Sequence, residues 1–171
     1  MHAPRQTSQS GFSLVEMIIV LSIIGIISAG VVPVYVSSMA GMRMRNAQND
    51  FVALINFVQE RAVTDGREYR LFLDPKEGTY WVEWHSGYDR DEKTFSIVEE
   101  PWGELHYLPE RLEMERPKAR KDRGSSAFYI ACFPNGASDI ATLRLRDRLN
   151  WRSRLTIKTE GAMGKISVES R

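Results

Sequence analysis

Residues 12–36 read FSLVEMIIVLSIIGIISAGVVPVYV, and among these 25 positions only Glu16 has a side chain charged at neutral pH. As an α-helix the run would span ~37 Å, more than the roughly 30 Å hydrocarbon core of a bilayer. A short polar stretch, MHAPRQTSQSG, precedes it, with Arg5 as its one permanent charge. Three fates are open to such a segment. It can be the apolar region of a secretory signal, Met17 to Ile27, with a cut near Ser28, Ala29 and Gly30 that releases a soluble periplasmic binding domain. It can be a plain single-pass anchor. Or the chain can be cut before the run, so that the membrane helix stays on the mature protein.

Glu16 bears on this choice. A carboxylate near the middle of a spanning helix costs about 2.5–3.5 kcal/mol on insertion scales. Neither a signal peptide nor a simple anchor has a use for it. It lies four residues after Phe12, one helical turn. If the chain were cut after Gly11, Phe12 would carry a free α-amine, and an amine facing a carboxylate is the pairing that a low-dielectric setting demands. A location of Glu16 in the headgroup region, at the end of a tilted helix, remains the alternative.

Gly11-Phe12-Ser13-Leu14-Val15-Glu16, followed at once by MIIVLSIIGIIS, resembles the prepilin-type signal of type IV pilins and type II secretion pseudopilins. The resemblance implies cleavage by prepilin peptidase between Gly11 and Phe12, and N-methylation of Phe12. It also implies a role for Glu16 in pairing with the terminal amine of a neighbouring subunit during assembly. Gly25 and Pro33 fall where family members have a helix-loosening glycine and proline. Orientation, with the C-terminal part periplasmic, rests on the resemblance, because Arg43 and Arg45 on the far side of the run oppose the positive-inside rule.

Beyond the apolar run, Ala47, Phe51, Leu54, Ile55, Val58 and Ala62 recur at spacings of three and four and predict one apolar helix face. Asn49, Asn56, Gln59 and Glu60 are assigned to the opposite face. Asp65-Gly66 is a stop signal. One helix is therefore expected from Phe12 to about Asp65, apolar all round at first and striped later. Pro33 should kink or locally break it, since proline removes a backbone donor and crowds the preceding turn.

Residues 66–171 read as antiparallel strands. EYRLFLD, TYWVEW, TFSIVEE, IATLRLR, RSRLTIK and GKISVES alternate, SAFYIACF is apolar on both faces, and Asp74-Pro75, Pro134-Asn135-Gly136 and Glu160-Gly161 mark turns. Seven or eight strands are expected, with 118–126 (KARKDRGSS) as a loop. Glu60-Arg61-Ala62-Val63 before YRLFLD, and Phe133-Pro134-Asn135-Gly136 before TLRLR and LTIKTEGAMGKISV, resemble the H-type minor pseudopilins and the related FimT-type minor pilins. The expected fold is thus α+β and pilin-like, a long N-terminal helix packed on an antiparallel β-sheet domain. The expected segments are a leader at 1–11, a transmembrane half-helix at 12–36, an amphipathic half-helix at 37–65 and a periplasmic β-rich domain at 66–171.

Net charge is only +1, which argues against wholesale binding of polyanions. The distribution is polarised, however. Residues 65–115 hold six basic and fourteen acidic side chains, and residues 116–171 hold thirteen and five. Internal pairing of the two halves is the plainer reading, and complementary surfaces between stacked subunits the sharper one. Alternation in TLRLR and RSRLTIK places Arg144, Arg146, Arg154 and Lys158 on one outward sheet face. Such a face could meet DNA backbone or a partner, but apart from Trp151 at an expected turn no aromatic side chain alternates with these cations to stack bases. DNA is therefore the minority partner.

Catalytic signatures are missing. There is no GxSxG, P-loop or HExxH, and His2, His85 and His106 lack metal-ligand spacing. The one cysteine, Cys132, sits inside an apolar strand and reads as a buried structural thiol. Asp89-Arg90-Asp91-Glu92 reads as a solvated loop rather than a calcium loop. Trp81, Trp84, Trp102 and Tyr80 read as core or sheet-face residues. No cofactor or metal is expected. The resemblance implies a non-enzymatic minor pseudopilin of type II secretion, in the bacterial inner membrane and then in a periplasmic pseudopilus. Its partners would be other pseudopilins or pilins, prepilin peptidase, membrane lipid and secreted cargo. A FimT-like minor type IV pilin, concerned with pilus biogenesis or DNA uptake, is the alternative.

Overall fold

The computed structural model of the chain describes residues 13–150, 153–161 and 164–170. One helix, α1 (Leu14–Thr64, 51 residues), is followed by ten strands: β1 (Tyr69–Asp74), β2 (Thr79–Asp89), β3 (Glu92–Ile97), β4 (His106–Tyr107), β5 (Leu112–Met114), β6 (Arg120–Lys121), β7 (Phe128–Cys132), β8 (Ala141–Asp147), β9 (Arg154–Glu160) and β10 (Lys165–Ser170). The chain divides into two compact units, one up to Met39 and one from Ala40 onward.

In the first unit, α1 has apolar side chains on every side, and Leu14–Val31 is long and apolar enough to cross a membrane with none of its residues buried. Helical structure runs through Gly25 and Pro33 without interruption.

In the second unit, Met44, Ala47, Phe51, Ile55, Val58 and Ala62 are the buried line of α1. Five of these six lie on the face predicted from spacing, and Leu54, the remaining member of that face, is half-buried against the same core. The helix ends in a Schellman motif. The Arg67 N–H donates to Ala62 O (3.2 Å) and the Gly66 N–H to Val63 O (3.4 Å), with Gly66 at φ +64°. That conformation suits a residue without Cβ.

The strands form two antiparallel sheets, ordered β3-β2-β1-β7-β6 (with β4 also pairing β2) and β10-β9-β8-β5. Leu71 and Leu73 of β1, Val82 of β2, and Ile130 and Cys132 of β7 share one core cluster with the helix line and with Leu143, Leu145, Leu155 and Ile157 of the second sheet. Fully burying a side chain of this size contributes about 1.5–3 kcal/mol, so the helix face and the two sheet faces stabilise one another.

Three expectations need correction. Among the described residues there are ten strands, because the two- and three-residue strands β4, β5 and β6 are too short to leave an alternating pattern. The 118–126 loop contains β6, which pairs with β7 through Arg120↔Tyr129 and Lys121↔Phe128. Gln59 is not on the solvent face. It is half-buried, and its Nε2 donates to Gly164 O at 2.9 Å. Polarity alone misassigned it, because an amide can sit against a domain when a backbone carbonyl there accepts its hydrogen bond.

Candidate functional site

Gly11 and Phe12 lie outside the described residues. The first described residue, Ser13, caps α1. Its Oγ accepts from the Val15 N–H (3.3 Å), and its carbonyl accepts from the Met17 N–H (3.2 Å). Glu16 stands three residues after this cap, the spacing of a capping box, and is exposed in the first helical turn. The unpaired N–H groups at a helix start favour a carboxylate there. This local relationship was missed in the sequence, although Ser13-Leu14-Val15-Glu16 spells it out. Further along, the Ser22 hydroxyl donates to Ile18 O at 2.7 Å, so this polar group is satisfied within the helix, as lipid surroundings require. Around Gly25 there is open space.

The second candidate site is the outer face of the β10-β9-β8-β5 sheet. Along β8 and β9, Leu143, Leu145, Leu155 and Ile157 are buried, while Arg144, Arg146 and Arg154 are exposed and Lys158 is half-buried. Arg146 pairs directly across from Arg154, Arg144 from Thr156, and Thr142 from Lys158. The predicted alternation therefore does bring the four cations to one face. What the sequence did not reveal is the carboxylates between them. Arg146 Nη2 meets Glu113 Oε2 at 2.6 Å, Arg148 Nε meets Glu113 Oε1 at 3.0 Å, and Lys158 Nζ meets Glu169 Oε1 at 2.7 Å. Glu115 and Glu169 also line the cleft that Arg144 and Arg154 border. Two of the four cations are thus paired, and the face is mixed in sign. The Glu113 pairs join the acidic and basic halves of the sequence, as internal pairing requires.

The aromatic residues hold the domain together. Tyr80 packs on Phe51 of α1, with ring centroids 4.7 Å apart, and Trp102 meets Phe57 edge-on at 4.8 Å. Trp81 stacks on Phe72 at 5.1 Å on the face of the first sheet that points away from the core, and Arg67 lies 4.8 Å from the Trp84 ring.

Comparison with known proteins adds to this geometry. Residues 6–32 match the family model described as the prokaryotic N-terminal methylation motif. The chain is 25% identical over 133 residues to the type II secretion system protein H of Xanthomonas campestris pv. campestris, an alignment covering 75% of this chain and 66% of that protein. It is 33% identical over 73 residues to a fimbrial protein of Pseudomonas aeruginosa, covering 43% of this chain and 47% of that one. The chain therefore spans about two thirds of the first relative and about half of the second. The fold matches the minor pseudopilin EpsH from the Vibrio cholerae type 2 secretion system, with a TM-score of 0.59 at 10% identity, over 75% of this chain and 97% of that structure. The chain has the pilin-like fold and is similar to type II secretion proteins of the H type.

Among the described residues the groups with perturbed titration are engaged in packing and pairing. Glu68 is 6% exposed. Burial pushes its carboxyl upward, but hydrogen bonds from Lys93 Nζ (2.6 Å) and Arg70 Nε (2.9 Å) outweigh that and hold it below the usual carboxylate range. Arg70 is itself stacked, its guanidinium 3.5 Å from the Phe95 ring centroid. Burial pushes the Cys132 thiol up to about 12, helped by Asp139, so it is not a thiolate at neutral pH. Among the described residues no group of His, Cys, Asp and Glu is placed to hold a metal ion. These polar groups serve packing and pairing.

Proposed function

We propose that the chain is a minor pseudopilin of a type II secretion pseudopilus. It is made with a leader at 1–11, cut between Gly11 and Phe12 by prepilin peptidase, and methylated on Phe12. Residues 12–36 hold it in the inner membrane, 37–65 form the amphipathic half of the helix, and 66–171 are the periplasmic domain that meets other pseudopilins and exported cargo. Gly25 and Pro33 loosen the helix as it leaves lipid for the filament. Its work is mechanical, and it binds neither DNA nor a cofactor.

The observation that carries this reading is the placement of Glu16. It is a carboxylate in the first turn of a helix that is apolar and unburied from Leu14 to Val31, and that same helix supplies the spine of the β domain. In lipid that acid needs a positive partner, and the terminal amine of a neighbouring processed subunit supplies one.

Intact mass of the membrane-extracted chain tests the reading. A mature N-terminus at Phe12 with one added methyl group is expected. A start near residue 30 would mean a released soluble domain and end the proposal.

The match to a fimbrial protein over 73 residues favours, as a second reading, a minor type IV pilin. Its DNA-uptake version requires Arg144, Arg146, Arg154 and Lys158 to bind phosphates. The pairing of Arg146 and Lys158 with carboxylates weakens that version. A salt-sensitive gel shift at low ionic strength would restore it.

A further inference from the structure

Arg43 and Arg45 are the first charges after Glu16, and twenty-six uncharged residues separate Glu16 from Arg43. As helix this interval measures ~40 Å, the thickness of a bilayer with both headgroup regions included. In the orientation proposed above, both arginines lie on the side where the positive-inside rule disfavours them. A role at that level has to offset this cost.

In the second unit, Arg43 and Arg45 flank the buried Met44 on α1, about 200° apart around the helix. Arg43 has two buried guanidinium nitrogens, Nε and Nη2, with no hydrogen-bond partner among the described residues. Arg45 borders a cleft of about 460 Å³ between α1 and the β9–β10 end of the second sheet. Among the described residues its polar lining is Arg45, Gln48, Asn49, Ser153, Arg154 and Ser170, with no carboxylate, while Arg154 also borders the neighbouring cleft lined by Glu115 and Glu169. Two guanidinium groups with neighbouring amide and hydroxyl donors form a set suited to a phosphate, whose oxygens accept from the planar guanidinium fork in pairs. Beside it Met42 is 61% exposed, and apolar surface next to cations is the composition of a membrane-surface contact.

We propose that the cleft between Arg45 and Arg154 binds the phosphate of an anionic phospholipid headgroup in the periplasmic leaflet. The contact seats the β domain on the membrane until the subunit is drawn into a filament. This rests on the membrane-anchored reading above and adds to it a lipid class and the residues that recognise it.

The test is native mass spectrometry of the full chain in neutral detergent, with phosphatidylglycerol, phosphatidylcholine or inorganic phosphate added. The wild type is compared with the double variant Arg45→Gln/Arg154→Gln and with Ser153→Asp, which puts a carboxylate in the cleft. Phosphatidylglycerol should be retained at least tenfold better than phosphatidylcholine. Both variants should lose that preference while keeping the wild-type melting temperature. Equal retention by wild type and both variants overturns the proposal. So does full displacement of the lipid by an equal concentration of inorganic phosphate, which would make the cleft a general anion site. Absence of lipid preference together with cross-linking of Arg45 to an acidic face of another subunit would assign the cleft to a protein partner and also overturn it. Because lipid is supplied in detergent, these outcomes are independent of where the chain is processed. A soluble chain starting near residue 30 would defeat the anchoring reading and leave the cleft measurement intact.

Discussion

Gln59 Nε2 donates a 2.9 Å hydrogen bond to the carbonyl of Gly164, 105 residues further along the chain. This one bond ties the helix to the turn between β9 and β10. Gly164 has φ +60°, and a Cβ there would come within 3.0 Å of the Gln59 amide. Gln59→Ala should cost about 1 kcal/mol of stability. Gly164→Ala should cost more, about 1–2 kcal/mol from the backbone conformation alone. Chemical denaturation of the detergent-solubilised chain measures both, and equal stability of Gly164→Ala and wild type would refute the contact.

Phe51 is 2% exposed and packs on Tyr80. Phe51→Ala should destabilise the domain by about 3–5 kcal/mol, the range for removing a buried aromatic side chain. A loss below about 1 kcal/mol would mean that the helix is not the spine of this core.

The Glu68 carboxylate titrates below its ordinary value of 4.5 in the folded chain because Lys93 and Arg70 outweigh its burial. The unfolded chain therefore takes up this proton first on acidification. The stabilisation from Glu68 is complete above the ordinary value and is lost as pH falls through the lowered folded value. Melting temperatures measured from neutral pH downward should fall less steeply below about pH 4.5 for Glu68→Gln than for wild type. Parallel curves would show that the group does not contribute in this way.

Arg90 and Asp91 join β2 to β3, and both have positive φ, 47° and 68°. Two left-handed residues in a two-residue hairpin loop are the pattern that Asn-Gly satisfies best. Replacing Arg90-Asp91 by Asn-Gly should raise stability by about 1 kcal/mol. Thermal melting checks the sign.

The parts of the fold that the sequence made legible are those with a strong period. The Ala47–Ala62 stripe and the Leu143/Leu145 and Leu155/Ile157 alternation each reached the core as expected. Alternation also placed the four cations on one face, since side-chain direction in a strand is fixed by parity. It could not place Glu113 and Glu169 among them, because strand neighbours come from tertiary register: Glu113 stands opposite Arg146, and Glu169 opposite Thr156, two positions from Lys158. Short strands such as β6 carry too few residues for any period. Ser13 was overlooked for another reason: a cap is a single residue, and its signal was submerged in the apolar run that follows.

The central claim is that Glu16 exists to meet a positive charge from another subunit. Incorporation of a Glu16→Leu variant into sheared filaments, measured against wild type at equal membrane abundance, tests it most directly. The account predicts at least a tenfold drop in incorporation, with Glu16→Asp partly restored. Undiminished incorporation of Glu16→Leu would contradict it and leave the acid with no more than its place three residues after the Ser13 cap.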